Sequence, residues 1–136
     1  TVIPLGTLAP VADTPWDFNK PWRIGARIDQ LPRGYGACYV LNKAKPGAMS
    51  LAARLHDPKS GRVMEIHTTQ PGVQLYTANL LDGKMKCEGV AYTKQYGVCL
   101  ETQHYPDSPN QPAFPPVILR PGRTFRETTI HKFGVR

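Results

Sequence analysis

Proline and glycine interrupt this chain about once every five residues, with fourteen of one and twelve of the other in a sequence of 136. Proline fixes φ and donates no backbone hydrogen bond, and glycine inside an element costs conformational entropy, so long helices have no room to form. Several of the short segments left between these breakers are rich in β-branched and aromatic residues, which points to many short strands joined by turns. The length suits one core. The expectation is an all-β chain whose residues 1–136 make a single domain.

The opening carries prolines at positions 4, 10, 15 and 21 and is expected to run extended over the surface, with Trp16, Phe18 and Trp22 anchoring it to a sheet. Residues 24–29 have room for a helical turn or two. "ACYVLNK" reads as a strand ended by the turn at Lys45, Pro46 and Gly47. "MSLAARLHD" alternates Leu51, Ala53 and Leu55 against Ser50, Ala52 and Arg54, as a half-buried strand does. The "DPKSG" turn leads it into a hairpin partner, in which Val63, Glu65 and His67 alternate with Met64, Ile66 and Thr68. "GVQLYTANLL", closed by Asp82 and Gly83, and "GVCLETQ" are further strands. "VILRPGRTFRETTIHKFGV" reads as a final strand pair around Pro121 and Gly122, covered on both sides. The sum is six or seven antiparallel strands with long loops, a β-sandwich or part of one.

The formal charge of +7 raises the question of an anionic partner. Its lysines and arginines are scattered singly, without a run of like charge, so no nucleic-acid partner is expected, and the cations from Arg120 to Arg136 read as solvated strand surface. The three cysteines, Cys38, Cys87 and Cys99, show no C-x-x-C spacing, and the four histidines fall at irregular intervals. Neither a disulfide framework, a metal site nor a cofactor is expected. No apolar run approaches the roughly 18 residues that span a bilayer. The opening residues lack the basic flank and long apolar core of a signal peptide, so the expected setting is soluble and cytoplasmic, without a membrane partner. No nucleophile elbow, phosphate-cradling glycine loop or catalytic triad is present.

One carboxylate stands out. Glu101 closes an apolar strand beside Thr102 and Gln103, where partial desolvation would raise its pKa toward the range of a general base. A surface glutamate at a strand end fits the same residues, and local context leaves both readings open. Gln74 sits among apolar neighbours, either facing solvent or satisfying a buried partner. His104, three residues beyond Glu101, could line the same loop. Asp107 offers a second carboxylate, so a glycoside hydrolase built on Glu101 and Asp107 is an alternative.

Four segments carry a resemblance: "TVIPLGTLAPV", "TTQPGVQLYTANLLDG", "GVCLETQHYPDSPNQPAFPPVILRPG" and "TFRETTIHKFGV". Together they are similar to the C-terminal part of the aldose 1-epimerase (galactose mutarotase) family, most specifically through L-E-T-Q-x-x-P-D-x-x-N-x-x-x-F-P. The resemblance implies a partial, shortened antiparallel β-sandwich with a sugar cleft on one sheet. It implies interconversion of the α and β anomers of aldoses such as galactose or glucose, with Glu101 as base and Gln74, Tyr35 and His104 as sugar-binding residues. In "GYGACYVL" the family's Gly and aromatic residue are kept as Gly34 and Tyr35, but Gly36 stands where the family has Asp and Ala37 where it has His. The family's acid histidine lies in an N-terminal half without counterpart here, which leaves a sugar-binding or structural β-domain without catalysis as a further alternative. A partial sandwich would also expose apolar faces, so a second copy or a complementing N-terminal half is an expected partner.

Overall fold

The computed structural model describes residues 3–136, so Thr1 and Val2 of the extended opening lie outside the described residues. Its strands are β1 (Gly36–Val40), β2 (Ser50–His56), β3 (Arg62–Thr68), β4 (Gly72–Tyr76), β5 (Asp82–Cys87), β6 (Val90–Thr93), β7 (Cys99–Gln103) and β8 (Thr129–Val135). Single 3-10 turns occupy Ile24–Ala26, Ile28–Gln30 and Ser108–Asn110. β4 lies between β1 and β7 in one sheet, β3 between β2 and β8 in a second, and β5 with β6 in a third. The chain is all-β, as its breakers require. It divides into two compact units: Cys38–Val73 and Glu101–Arg136 with the stretch ending at Thr7, and Leu8–Ala37 with Gln74–Leu100.

In the first unit the expected hairpin forms. β2 pairs antiparallel with β3 from Ser50 opposite Thr68 to His56 opposite Val63. Asp57 builds the turn: Oδ1 accepts from the Lys59 N–H at 3.1 Å, and Oδ2 accepts from the Ser60 hydroxyl at 2.6 Å. Gly61 closes it at φ +71°, where an added Cβ would sit 2.5 Å from the Arg136 carbonyl. The alternation expected in β2 breaks at its start: a bulge between Leu51 and Ala53 turns Leu51 out to solvent. β8 adds to the far edge of β3, from Arg62 opposite Val135 to Thr68 opposite Thr129. The strand pair expected around Pro121 and Gly122 is absent, because residues 117–128 form no strand. Nor is the last strand covered on both sides, since all seven residues of β8 are exposed. Val63, Ile66, Val73 and Phe114 make this unit's buried apolar core.

The second unit is organised on Tyr35, whose side chain is fully buried. Trp16 meets its ring edge-on at 5.4 Å and Phe18 packs tilted against it at 5.2 Å, so two of the three expected anchors pack where the chain enters β1. The third, Trp22, stays exposed under the Arg27 guanidinium, 4.7 Å from its ring centre. β5 and β6 form an antiparallel hairpin that the sequence reading lacked. Its two-residue turn, Glu88 and Gly89, has φ of +49° and +79°, the handedness that matches strand twist. Asp82 and Gly83, read as a closing turn, open β5 instead.

Candidate functional site

Glu101 is the central residue of β7. Side chains alternate along a strand, and here Cys99 and Glu101 take the exposed face while Leu100 and Thr102 are half-buried. The partial desolvation expected of this acid is therefore not met within the chain, and its carboxylate is free to meet a ligand from solvent. The backbone beside it is tied down. Thr102 Oγ1 lies 2.7 Å from Thr129 Oγ1, which lies 3.0 Å from the Oγ1 of the fully buried Thr68. Lys43 spends all three ammonium protons on this junction, donating to the carbonyls of Thr68 and Ala48 at 2.7 and 2.8 Å and to Ser50 Oγ at 2.9 Å. Burial holds the Lys43 ammonium below the ordinary lysine range, with Glu127 pulling it back up. The sequence reading missed this network; its only trace there is the pair of threonine doublets, Thr68-Thr69 and Thr128-Thr129.

The loop after β7 is held by its own side chains. Tyr105 packs edge-on against Phe114 at 5.2 Å. Asp107 accepts from the side-chain amides of Asn110 and Gln111, at 2.6 Å on one oxygen and 2.9 Å on the other, which hold its carboxyl below the usual range. Both Asp107 oxygens are thus engaged inside its own loop. His104 is half-buried and lines an open cleft of about 580 Å³ with residues of the 116–127 segment. Close by, burial pushes the Cys38 thiol up to about 11 against an opposing hydrogen bond with Gln103, so this cysteine packs as an apolar group.

In the second unit, Gln74 sits on β4 beside buried Leu75. Its side-chain carbonyl oxygen is buried and has no hydrogen-bond partner among the described residues. An acceptor left in that state costs about 1–3 kcal/mol, so the position favours whatever supplies a donor, such as a sugar hydroxyl. Tyr35 differs from the expected sugar-contacting residue. Its hydroxyl donates to the Pro15 carbonyl at 3.0 Å, and burial pushes the phenol up in pKa, partly offset by Arg27. Its main chain is clamped as well: the N–H donates to Thr77 Oγ1 at 3.1 Å, and Asn79 Nδ2 donates to its carbonyl at 2.7 Å. Gly34 makes the clamp possible, at φ +63°, because an added Cβ would lie 2.1 Å from Asn79 Oδ1. Gly36, by contrast, is exposed, and an added Cβ there meets nothing within 4 Å.

The family profile described as aldose 1-epimerase matches residues 1–132. The chain belongs to the aldose 1-epimerase family. Galactose mutarotases of Rattus norvegicus and Homo sapiens are 45% and 47% identical to this epimerase-family chain over 137 residues, which cover 99% of it and 40% of each relative. The aldose 1-epimerase of Escherichia coli (strain K12) is 31% identical over 138 residues, covering 96% of this chain and 40% of its own length. A crystal structure of a GalM/aldose epimerase homologue from C. elegans matches with a TM-score of 0.81 at 26% identity, over 98% of this chain and 40% of that one. The chain thus spans about 40% of the length of these relatives, as a partial member of the family with its antiparallel β fold.

Proposed function

We propose that this chain binds an aldohexose such as galactose or glucose and interconverts its α and β anomers, with Glu101 as the base. The observation that carries the proposal is the exposed carboxylate at the centre of β7, inside the "LETQ" motif of a chain that the family profile matches almost throughout. In this reading Glu101 takes the proton from the anomeric hydroxyl as the bond from the anomeric carbon to the ring oxygen breaks, and the ring oxygen takes a proton from a solvent water, which recovers it when the ring closes. The aldehyde then rotates about its bond to the next carbon, the ring closes on the other face, and the proton returns from Glu101, so nothing is consumed. Gln74 accepts from a sugar hydroxyl through its unpartnered oxygen. His104 contacts the sugar from the loop after β7, and Tyr35 is assigned to the sugar set with its hydroxyl engaged by Pro15.

Residues 1–136 act here as one piece of the family domain, to be completed by a second copy or by a complementing N-terminal half. Three free cysteines suit a reducing, cytoplasmic setting. Among the described residues no helix is long and apolar enough to cross a membrane.

The test is the optical rotation of freshly dissolved α-galactose. The chain should shorten the decay to equilibrium relative to buffer, and Glu101→Gln should restore the buffer rate; equal rates with and without the chain would contradict the proposal. A second reading, sugar binding without turnover, is favoured by Gly36, which supplies no carboxylate where the family motif has one. Calorimetric titration with galactose separates the two, because heat of binding without faster decay belongs to the second alone.

A further inference from the structure

The Glu101 carboxylate has no hydrogen bond or ion pair of its own among the described residues. An acid without a partner is aimed only by the backbone that carries it, and β7, an outer strand of its sheet, has a ladder neighbour on one side alone. Side chains tie down the two residues that follow. Gln103 is hydrogen-bonded to the Cys38 thiol, and Thr102 Oγ1 meets Thr129 Oγ1 at 2.7 Å. Beyond Thr129 the direction of each bond follows from counting protons, because a hydroxyl donates one and accepts two. Thr68 Oγ1 donates to the Thr128 carbonyl at 3.2 Å and accepts from the Gln70 N–H at 3.1 Å. Its proton is spent, so at 3.0 Å Thr129 must donate to Thr68, and Thr102 must in turn donate to Thr129. The hydroxyls thus run inward from Thr102 to a fully buried residue, whose own carbonyl accepts from the Lys43 ammonium at 2.7 Å. Thr129 is the middle link, set opposite Thr68 by the pairing of β8 with β3.

We infer that Thr129 is a positioning residue for Glu101: its hydroxyl acts through Thr102, fixing where β7 presents the base, rather than on the sugar. The inference rests on the reading of Glu101 as the base. Removing that hydroxyl orphans no buried polar group, since Thr68 keeps its bonds to Thr128 and Gln70, and water reaches exposed Thr129 and half-buried Thr102. Placement of the base is therefore separable from stability of the fold. Misplacing a reacting group by about 1 Å costs up to about a hundredfold in rate. A strand still held by β4 and by Gln103 shifts less, which sets the expected loss near tenfold.

The test is the rate of galactose anomer interconversion by the full chain, followed from low to saturating sugar so that kcat and KM separate. Thr129→Val, which keeps the shape and the β-branching, should lower kcat about tenfold while KM and the thermal midpoint stay unchanged. Thr129→Ser, which keeps the hydroxyl, should restore kcat. Thr102→Val cuts the same bond from its other end and reads it independently should Thr129→Val fail to fold. It should repeat the loss, and the double variant should lose no more than either single one. An unchanged kcat in the valine variants, a loss that serine does not restore, a rise in KM in place of the fall in kcat, or losses that multiply in the double variant would each overturn the inference and leave Glu101 standing as the base. A wild-type chain no faster than buffer would overturn the inference and the base reading together.

Discussion

Glu101 was recognisable as a candidate from its motif, but its exposure was not, because the face a strand residue takes is set by which neighbours its strand pairs with rather than by its own sequence. Gln74 shows the reverse: "VQL" left its orientation open, and the structure resolves this with a buried, unpartnered oxygen. Tyr35 was legible as part of a motif and not as a core residue, since nothing in "GYGACY" announces that Trp16 and Phe18 will close over it. Gly36 leads to a direct prediction. Its missing carboxylate is a chemical loss without a steric cause, because a side chain there enters open space. Gly36→Asp should therefore fold normally and tighten galactose binding by about tenfold, the contribution of one charged hydrogen bond. Unchanged affinity by calorimetry would show that this position does not face the sugar.

At the scale of elements, the β2–β3 hairpin was readable because Asp57, Ser60 and Gly61 encode their turn locally, whereas the bulge at Leu51 leaves no mark in the pattern. The β5–β6 hairpin escaped because β5 is almost wholly exposed and so carries no apolar alternation. Residues 117–128 looked like a strand from their β-branched content, yet Pro121 and Gly122 sit where a ladder would need regular backbone. The β2–β3 pair also yields a pH prediction. Arg54 Nε donates to Glu65 Oε1 at 2.8 Å, and His67 Nε2 lies 3.3 Å from the other oxygen, which together hold the Glu65 carboxyl below its usual range. A carboxyl depressed by folding contributes stability above its unfolded pKa and loses it as pH falls through the folded one. Glu65→Gln should thus lower the thermal midpoint near neutrality, with the gap to wild type closing in acid. A gap constant with pH would rule out the ionised pair as its source.

For the molecule as a whole, the all-β class followed from the spacing of proline and glycine, and family membership followed from four motifs that the profile match bears out. What composition could not convey is how much apolar surface this length leaves uncovered. β8 is an edge strand with every residue exposed, Phe133 and Val135 at 78% and 77%. Unpaired edges and exposed apolar side chains drive association. Light scattering on the isolated chain should give a mass above that of one chain, and a clean monomer at high concentration would contradict this. The deciding question is whether Glu101 moves a proton on an aldose. Magnetisation-exchange NMR on galactose labelled at its anomeric carbon reads the α-to-β rate at equilibrium. Cross-peaks should grow with added chain and vanish in Glu101→Gln; an exchange rate equal to that of buffer, or one unchanged by the substitution, would rule out Glu101 as the base.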